Sequence, residues 1–192
     1  MNRRLLSLLG LLAFAAPMAL AQTSTWVPDK AHSGVDFSIL HMSLAKVRGH
    51  FGNIGGTIVW NDADVTKSAV NVTIDVTTVD TGVSHRDDDL KSAKFFDVAQ
   101  FPTATFVSTS VEKVGSGLKV NGNLTLHGVT KPVTLDVEAP TGPVNGMDKK
   151  PHMGFSATAK IKRTDFGIAA GYPATVVGDD VSLTIDLDAA KQ

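Results

Sequence analysis

The feature that most restricts this chain is an apolar residue at every second position, repeated in segment after segment. In residues 34–41, Val35, Phe37 and Ile39 alternate with Asp36 and Ser38; in 69–78, Val70, Val72, Ile74 and Val76 alternate with Asn71, Thr73, Asp75 and Thr77. The same beat runs through Leu118, Val120, Leu124 and Leu126, and through Val133, Leu135 and Val137. It returns in Met153, Phe155 and Ala157, and in Val181, Leu183, Ile185 and Leu187. Successive side chains of a strand point to opposite faces, so each segment predicts a strand with one apolar side. Weaker runs at 55–60 (GGTIVW) and 103–111 (TATFVSTSV) raise the expectation to about eight strands.

The joints agree with antiparallel pairing. VGSGLK at 114–119 and LHGVTKPV at 126–133 place Gly115, Gly117 and Gly128 where tight hairpins turn. A longer Gly/Pro stretch, APTGPVNGMDKKP at 139–151, reads as a mobile loop. No internal repeat or composition break divides residues 22–192, so one all-β domain is expected. Strands of this kind resolve as a sandwich or as a barrel. A closed eight-stranded antiparallel barrel removes exposed strand edges, and its interior is filled by side chains or holds one ligand.

One stretch departs from the beat. In SHRDDDLKSAKFF at 84–96, Ser84 and Asp87 have capping-box spacing, three acids sit in the first turns, and Lys91 and Lys94 follow. Leu90, Ala93 and Phe95 or Phe96 recur at helical spacing, so a short helix around 84–96, laid over an apolar surface, is predicted. His85-Arg86-Asp87 and Asp165-Phe166-Gly167 resemble two kinase phrases, but the surrounding pattern is wrong. Asp88 and Ser92 stand where the kinase loop needs leucine and asparagine, and no Gly-rich phosphate loop precedes them.

Arg3 and Arg4, the apolar run from Leu5 to Leu20, and the small residues Ala19 and Ala21 have the form of a cleaved export signal. Residues 1–21 are therefore expected to be removed, with Gln22 as the new N-terminus and the periplasm as destination. Loss of two arginines and no acid moves the formal net charge from −1 to −3. With no basic cluster, nucleic-acid binding has no electrostatic footing. The absence of cysteine excludes disulfides, thiolate chemistry and iron–sulfur ligation. His32, His41 and His50 lie at nine-residue steps without metal-ligand spacing, and Ser33 lacks a nucleophile-elbow context. No metal and no catalytic residue are assigned.

These phrases together resemble the YceI-like family of bacterial periplasmic, lipocalin-like, polyisoprenoid-binding proteins. The resemblance runs through WVPDKAHSGVDFSILH at 26–41, GHFGNIGGTIVW at 49–60 and VDTGVSHRDDDLKSAKFFDVAQFPTATFVSTSV at 79–111. It continues through NGNLTLHGVTKPVTLDV at 121–137, KIKRTDFGI at 160–168 and VVGDDVSLTIDLDAAK at 176–191. It implies an extended eight-stranded antiparallel barrel with a small helix around a long apolar pocket. It further implies a polyisoprenoid ligand, such as a polyprenyl chain or an isoprenoid quinone, no other cofactor, and no established catalysis.

A hydrocarbon tail needs apolar walls. The wall candidates are Val35, Phe37, Ile39, Val72, Ile74, Phe106, Leu124, Leu126, Met153, Phe155 and Ala157, with Phe95 and Phe96 closing one end. His41, Arg86 and Arg163 are the candidates for a polar head group. The expected role is a non-enzymatic carrier, monomer or homodimer, that touches a membrane surface transiently to load and unload. Two alternatives stand beside it: an enzyme acting on an isoprenoid through Arg86, Asp87 or His41, and a stress-related structural module with a solid core.

Overall fold

The structure is a computed structural model and describes residues 23–192. The export segment and its cleavage point at Gln22 lie outside the described residues. In chain order the strands are β1 (Thr23–Pro28), β2 (Gly34–His41), β3 (Ala45–Phe51), β4 (Gly55–Asn61), β5 (Ala69–Asp75) and β6 (Thr103–Val114). They continue as β7 (Gly117–Leu126), β8 (Val129–Val137), β9 (Thr141–Asn145), β10 (Pro151–Lys162) and β11 (Val177–Lys191). One helix, α1 (Ser84–Lys91), and short 3₁₀ turns at Val65–Lys67, Val76–Thr78 and Arg163–Phe166 complete the described elements.

All the strands join one antiparallel sheet, and the pairing of β10 with β11 closes it. The closed ring is the eight-stranded barrel β1-β4-β5-β6-β7-β8-β10-β11. The hairpin of β2 and β3 extends it: β11 pairs with β1 over Ala189–Lys191 and with β2 from Val177 to Asp186. β9 covers the start of β10.

Three strands were not legible as strands. In β3 the alternation Val47-Gly49-Phe51 is broken by glycine, because a Cβ at Gly49 would lie 2.4 Å from the Phe37 ring. β1 is short, and β9 falls inside 139–151, which forms a paired strand rather than a mobile loop. Inside β7, Gly122 makes room for Phe106, whose ring would lie 2.3 Å from an added Cβ; the β6–β7 register shifts at that level, between Ser108 and Ser110. Residue-to-residue size matching at these glycines holds neighbouring strands in place. The β7–β8 turn is a two-residue loop with both residues left-handed, His127 (φ 51°) and Gly128 (φ 72°), as the twist of a hairpin prefers.

The helix is shorter than its sequence pattern. It ends at Lys91, Phe95 and Phe96 follow it in a turn, and its N-cap is Val83, which offers no side-chain oxygen. Ser84 is not a capping residue. Asp87 instead reaches back out of the helix and accepts from Thr81 N–H at 2.8 Å and Thr81 Oγ1 at 2.5 Å. That pull folds residues 81–87 onto the barrel, where Leu90 and Phe96 pack beside Phe37, Phe51 and Val79.

Candidate functional site

The barrel interior is not uniform. At one end Trp26, Ile58, Met153, Phe155 and Ala189 form a tight cluster, with the Trp60 and Phe155 ring centroids 5.9 Å apart, edge to face. At the other, Phe37 lies 5.3 Å from Phe51 and Phe51 lies 5.4 Å from Phe96. Between them is a cavity of about 130 Å³. β5 and β6 contribute Val70, Val72, Ile74, Ala104 and Phe106; β7 and β8 contribute Leu124, Leu126, Val133 and Leu135. Val35, Phe51, Ile54, Val76, Phe96, Ile161, Leu183, Ile185 and Leu187 complete the wall, so every lining residue is apolar. Most arrive by the strand alternation, which turns successive inward positions toward one interior, while Ile54, Val76 and Phe96 come from the joints and turns between strands.

Of the wall candidates, Val35, Val72, Ile74, Phe96, Phe106, Leu124 and Leu126 border this cavity. Phe37, Ile39, Phe95, Met153, Phe155 and Ala157 do not. Phe37, Met153 and Phe155 are buried in the packed end clusters. Ala157 is buried on β10, Ile39 sits between Val181 and Val47, and Phe95 stacks on Tyr172 at 5.6 Å. A single interior running past Phe37, Ile74 and Phe155 is therefore not what forms. Single-strand alternation reports which face is inward; it carries no information on height along the barrel, and height decides which inward residues meet across the cavity.

The wall residues that sequence reasoning omitted are instructive. Leu183, Ile185, Leu187, Val133 and Leu135 were visible as inward positions of their strands. Ala104 and Ile161 continue the inward phase of β6 and β10, whereas Phe51 and Ile54 lie at the β3 end and the β3–β4 joint, where the alternation is too short to read.

The polar candidates separate clearly. Arg163 is 3% exposed, and all three of its guanidinium nitrogens donate to backbone carbonyls. Nε reaches Gly178 O (2.9 Å), Nη1 reaches Ile168 O (3.0 Å) and Ala169 O (2.6 Å), and Nη2 reaches Tyr172 O (2.7 Å) and Val177 O (2.8 Å). Its fork of donors is consumed in tying down the 168–178 segment, so it is not a head-group ligand, nor is it paired with Asp165 or Asp87. Arg86 donates from Nε to Thr81 Oγ1 at 2.7 Å and from Nη2 to Thr81 O at 2.9 Å. Arg86 and Asp87 thus share Thr81 as their partner. His41 is exposed at the end of β2.

A histidine held between two carboxylates lies away from the cavity, at the β9 end. His152 on β10 sits between Asp188 on β11 (Nδ1–Oδ1 2.5 Å) and Asp148 (Nε2–Oδ1 3.1 Å). The hydrogen bond to Asp188, more than any other influence, holds its pKa above the ordinary histidine value, against partial burial and with help from Asp148.

A closed eight-stranded barrel with an all-apolar internal cavity is the architecture of proteins built around an enclosed apolar space. The YceI-like domain family matches residues 26–189, and this chain belongs to that family. It is 39% identical over 186 residues to Protein YceI of Salmonella newport, covering 94% of this chain and 93% of that one. BcnA of Burkholderia cenocepacia superposes with a TM-score of 0.74 at 25% identity, over 84% of this chain and 98% of that one. A polyisoprenoid binding domain from Saccharophagus degradans, implicated in plant cell wall breakdown, shares the fold: TM-score 0.64 at 18% identity, over 89% and 100% of the two chains.

Proposed function

We propose that this protein is an exported, non-catalytic carrier that holds the tail of an isoprenoid lipid inside its barrel. The observation that carries the reading is the internal cavity with no polar lining residue. Family membership, and a neighbour of the same fold described as a polyisoprenoid binding domain, point the same way. Periplasmic destination rests on the form of residues 1–21.

The energetics suit a carrier. Each five-carbon unit moved from water into an apolar wall is worth roughly 3–4 kcal/mol. A bilayer offers the tail the same environment, so net preference over the membrane is small and exchange is easy. Size sets the next constraint. An apolar cavity of about 150 Å³ admits a benzene-sized guest, so about 130 Å³ corresponds to about one isoprene unit. Longer tails, whether polyprenyl or quinone, need the cavity side chains to part. Branched methyl groups at regular spacing match the Val, Ile and Leu lining. Such loading calls for transient contact with a membrane surface and involves no nucleic acid; it needs no more than a monomer and is equally open to a homodimer.

The test is mass spectrometry of an organic extract of protein purified from the periplasmic fraction, followed by reloading of delipidated protein with a fluorescent prenyl lipid. A stoichiometric isoprenoid, displaced by the probe, is expected. An extract without isoprenoid, combined with no uptake of the probe, overturns the reading.

A further inference from the structure

Of the eight junctions in the barrel wall, β8–β10 has the fewest paired residues: Val137 with Ala157 and Asp136 with Thr158, against three pairs between β1 and β11. Toward the start of β10 the wall continues through Glu138 N–H, bonded to Ser156 O at 2.9 Å, and through β9. Toward its end it does not. Continued at the same register, Leu135 would face Ala159 and Val133 would face Ile161, but those rungs do not form. On its other side β8 pairs with β7 along its whole length, and β10 pairs with β11 through Lys162. The wall is thus unzipped from residues 129–135 of β8 and 159–162 of β10. Pro132, within the open part, has no N–H to give a ladder.

The opening leads somewhere. Val133 and Ile161 line the internal cavity, and the same two residues line a groove of about 310 Å³ on the outside. They are the partition between the two spaces. Outside, the groove carries Lys131, Lys160, Lys162, Asp165 and Phe166. Phe166 is fixed as its floor, its carbonyl accepting from His127 Nδ1 at 3.0 Å. Lys162 is tied to Asp180 at 2.8 Å and Asp179 at 3.5 Å. Lys131 and Lys160 have no carboxylate partner among the described residues. Lys131, exposed, pairs across the β7–β8 ladder with Leu124 of the cavity wall. A cation there, beside an apolar cavity, suits the charged end of an amphiphile better than packing.

We propose that the β8–β10 seam is the threshold at which an isoprenoid crosses the barrel wall: the tail passes between Val133 and Ile161, and a phosphate-bearing head group stays outside between Lys131 and Lys160. This rests on the isoprenoid reading above and adds the route and the head-group chemistry. It also accounts for how a cavity of one isoprene unit accepts more, because the thinnest junction is the one that parts.

The chain has no cysteine, so Val133→Cys/Ile161→Cys introduces the only thiols. The seam is tied by oxidation or, where the sulfurs stay too far apart, by a two-armed maleimide, with intact mass confirming the link. Uptake of a prenyl monophosphate and of the neutral prenol of equal tail length is then measured before and after tying, with reductant reversing the disulfide. Both lipids should load into the untied protein, and the tied protein should load neither. In Lys131→Gln/Lys160→Gln, prenyl monophosphate should bind about tenfold more weakly, the loss of one or two charge-assisted hydrogen bonds, while prenol is unchanged. Unaltered loading of the tied protein overturns the seam as route, and equal effects on both lipids in the lysine variant overturn the phosphate site. Failure of wild type to load either lipid instead overturns the carrier reading itself.

Discussion

The two halves of the interior use the same residue types and reach opposite results. Around Trp26, Ile58, Met153, Phe155 and Ala189 the apolar side chains interlock, and Ala189 is fully buried. Further along β10 and β11, Ile161 and Leu187 border a cavity instead, joined by Val70 of β5 and Leu135 of β8. The difference is one of shape. Trp26, Trp60 and Phe155 interlock in the first half, whereas in the second the aliphatic side chains, with Phe51, Phe96 and Phe106 among them, leave space where they meet. Hydrophobicity alone therefore does not tell a solid core from a binding cavity; the size of facing partners does.

The largest effect should come from emptying the packed half. Phe155→Ala removes a buried ring from beneath Trp60 and should cost about 3–5 kcal/mol, read as a drop in the urea midpoint. A cost near zero would mean that this half is as loose as the cavity.

Overfilling distinguishes the halves next. Ala157 is buried and does not border the cavity, so Ala157→Phe should overpack β10 and destabilise by about 1–3 kcal/mol. Ala104 does border it, and Ala104→Leu should leave stability unchanged or raised by about 1 kcal/mol while reducing uptake of a fluorescent prenyl lipid. Thermal melts and probe titrations on the two variants suffice. Equal destabilisation by both would erase the distinction between filled and open halves.

The smallest effect is electrostatic and belongs to the packed half, where His152 joins β10 to β11. Its pKa is raised in the folded protein, chiefly by the hydrogen bond to Asp188. Its stabilisation is thus fully present below the unfolded histidine value of about 6.5 and is lost as pH rises through the higher folded value. Relative to His152→Gln, the wild-type melting temperature should fall over that window and run parallel to it at higher pH. A constant offset between the two proteins from pH 5 to 9 would remove His152 from the account.

Much of this was legible beforehand for a simple reason. Alternation is a local property, so the inward faces of β2, β5, β7, β8, β10 and β11 could be read residue by residue. What failed were local signals with a non-local competitor. Ser84 has the spacing of a cap, yet Asp87 bonds Thr81 and takes the helix start away from it. Residues 139–151 have loop composition, yet the free edge of β10 recruits Thr141–Asn145 as a strand. Arg163 looked available to a ligand because its five carbonyl partners come from residues 168–178, a segment without a recognisable pattern.

By itself, then, the sequence determined the strand character and inward faces of most strands, because alternation depends on residues within a few positions of one another; the choice of barrel over sandwich came from the family resemblance. Only the tertiary structure decided where the interior is hollow, which cation is free and which is spent, and where the wall stays unzipped. Those depend on strand stagger: a shift of two residues along a neighbour keeps every side chain on the same face but changes the partner it meets across the barrel.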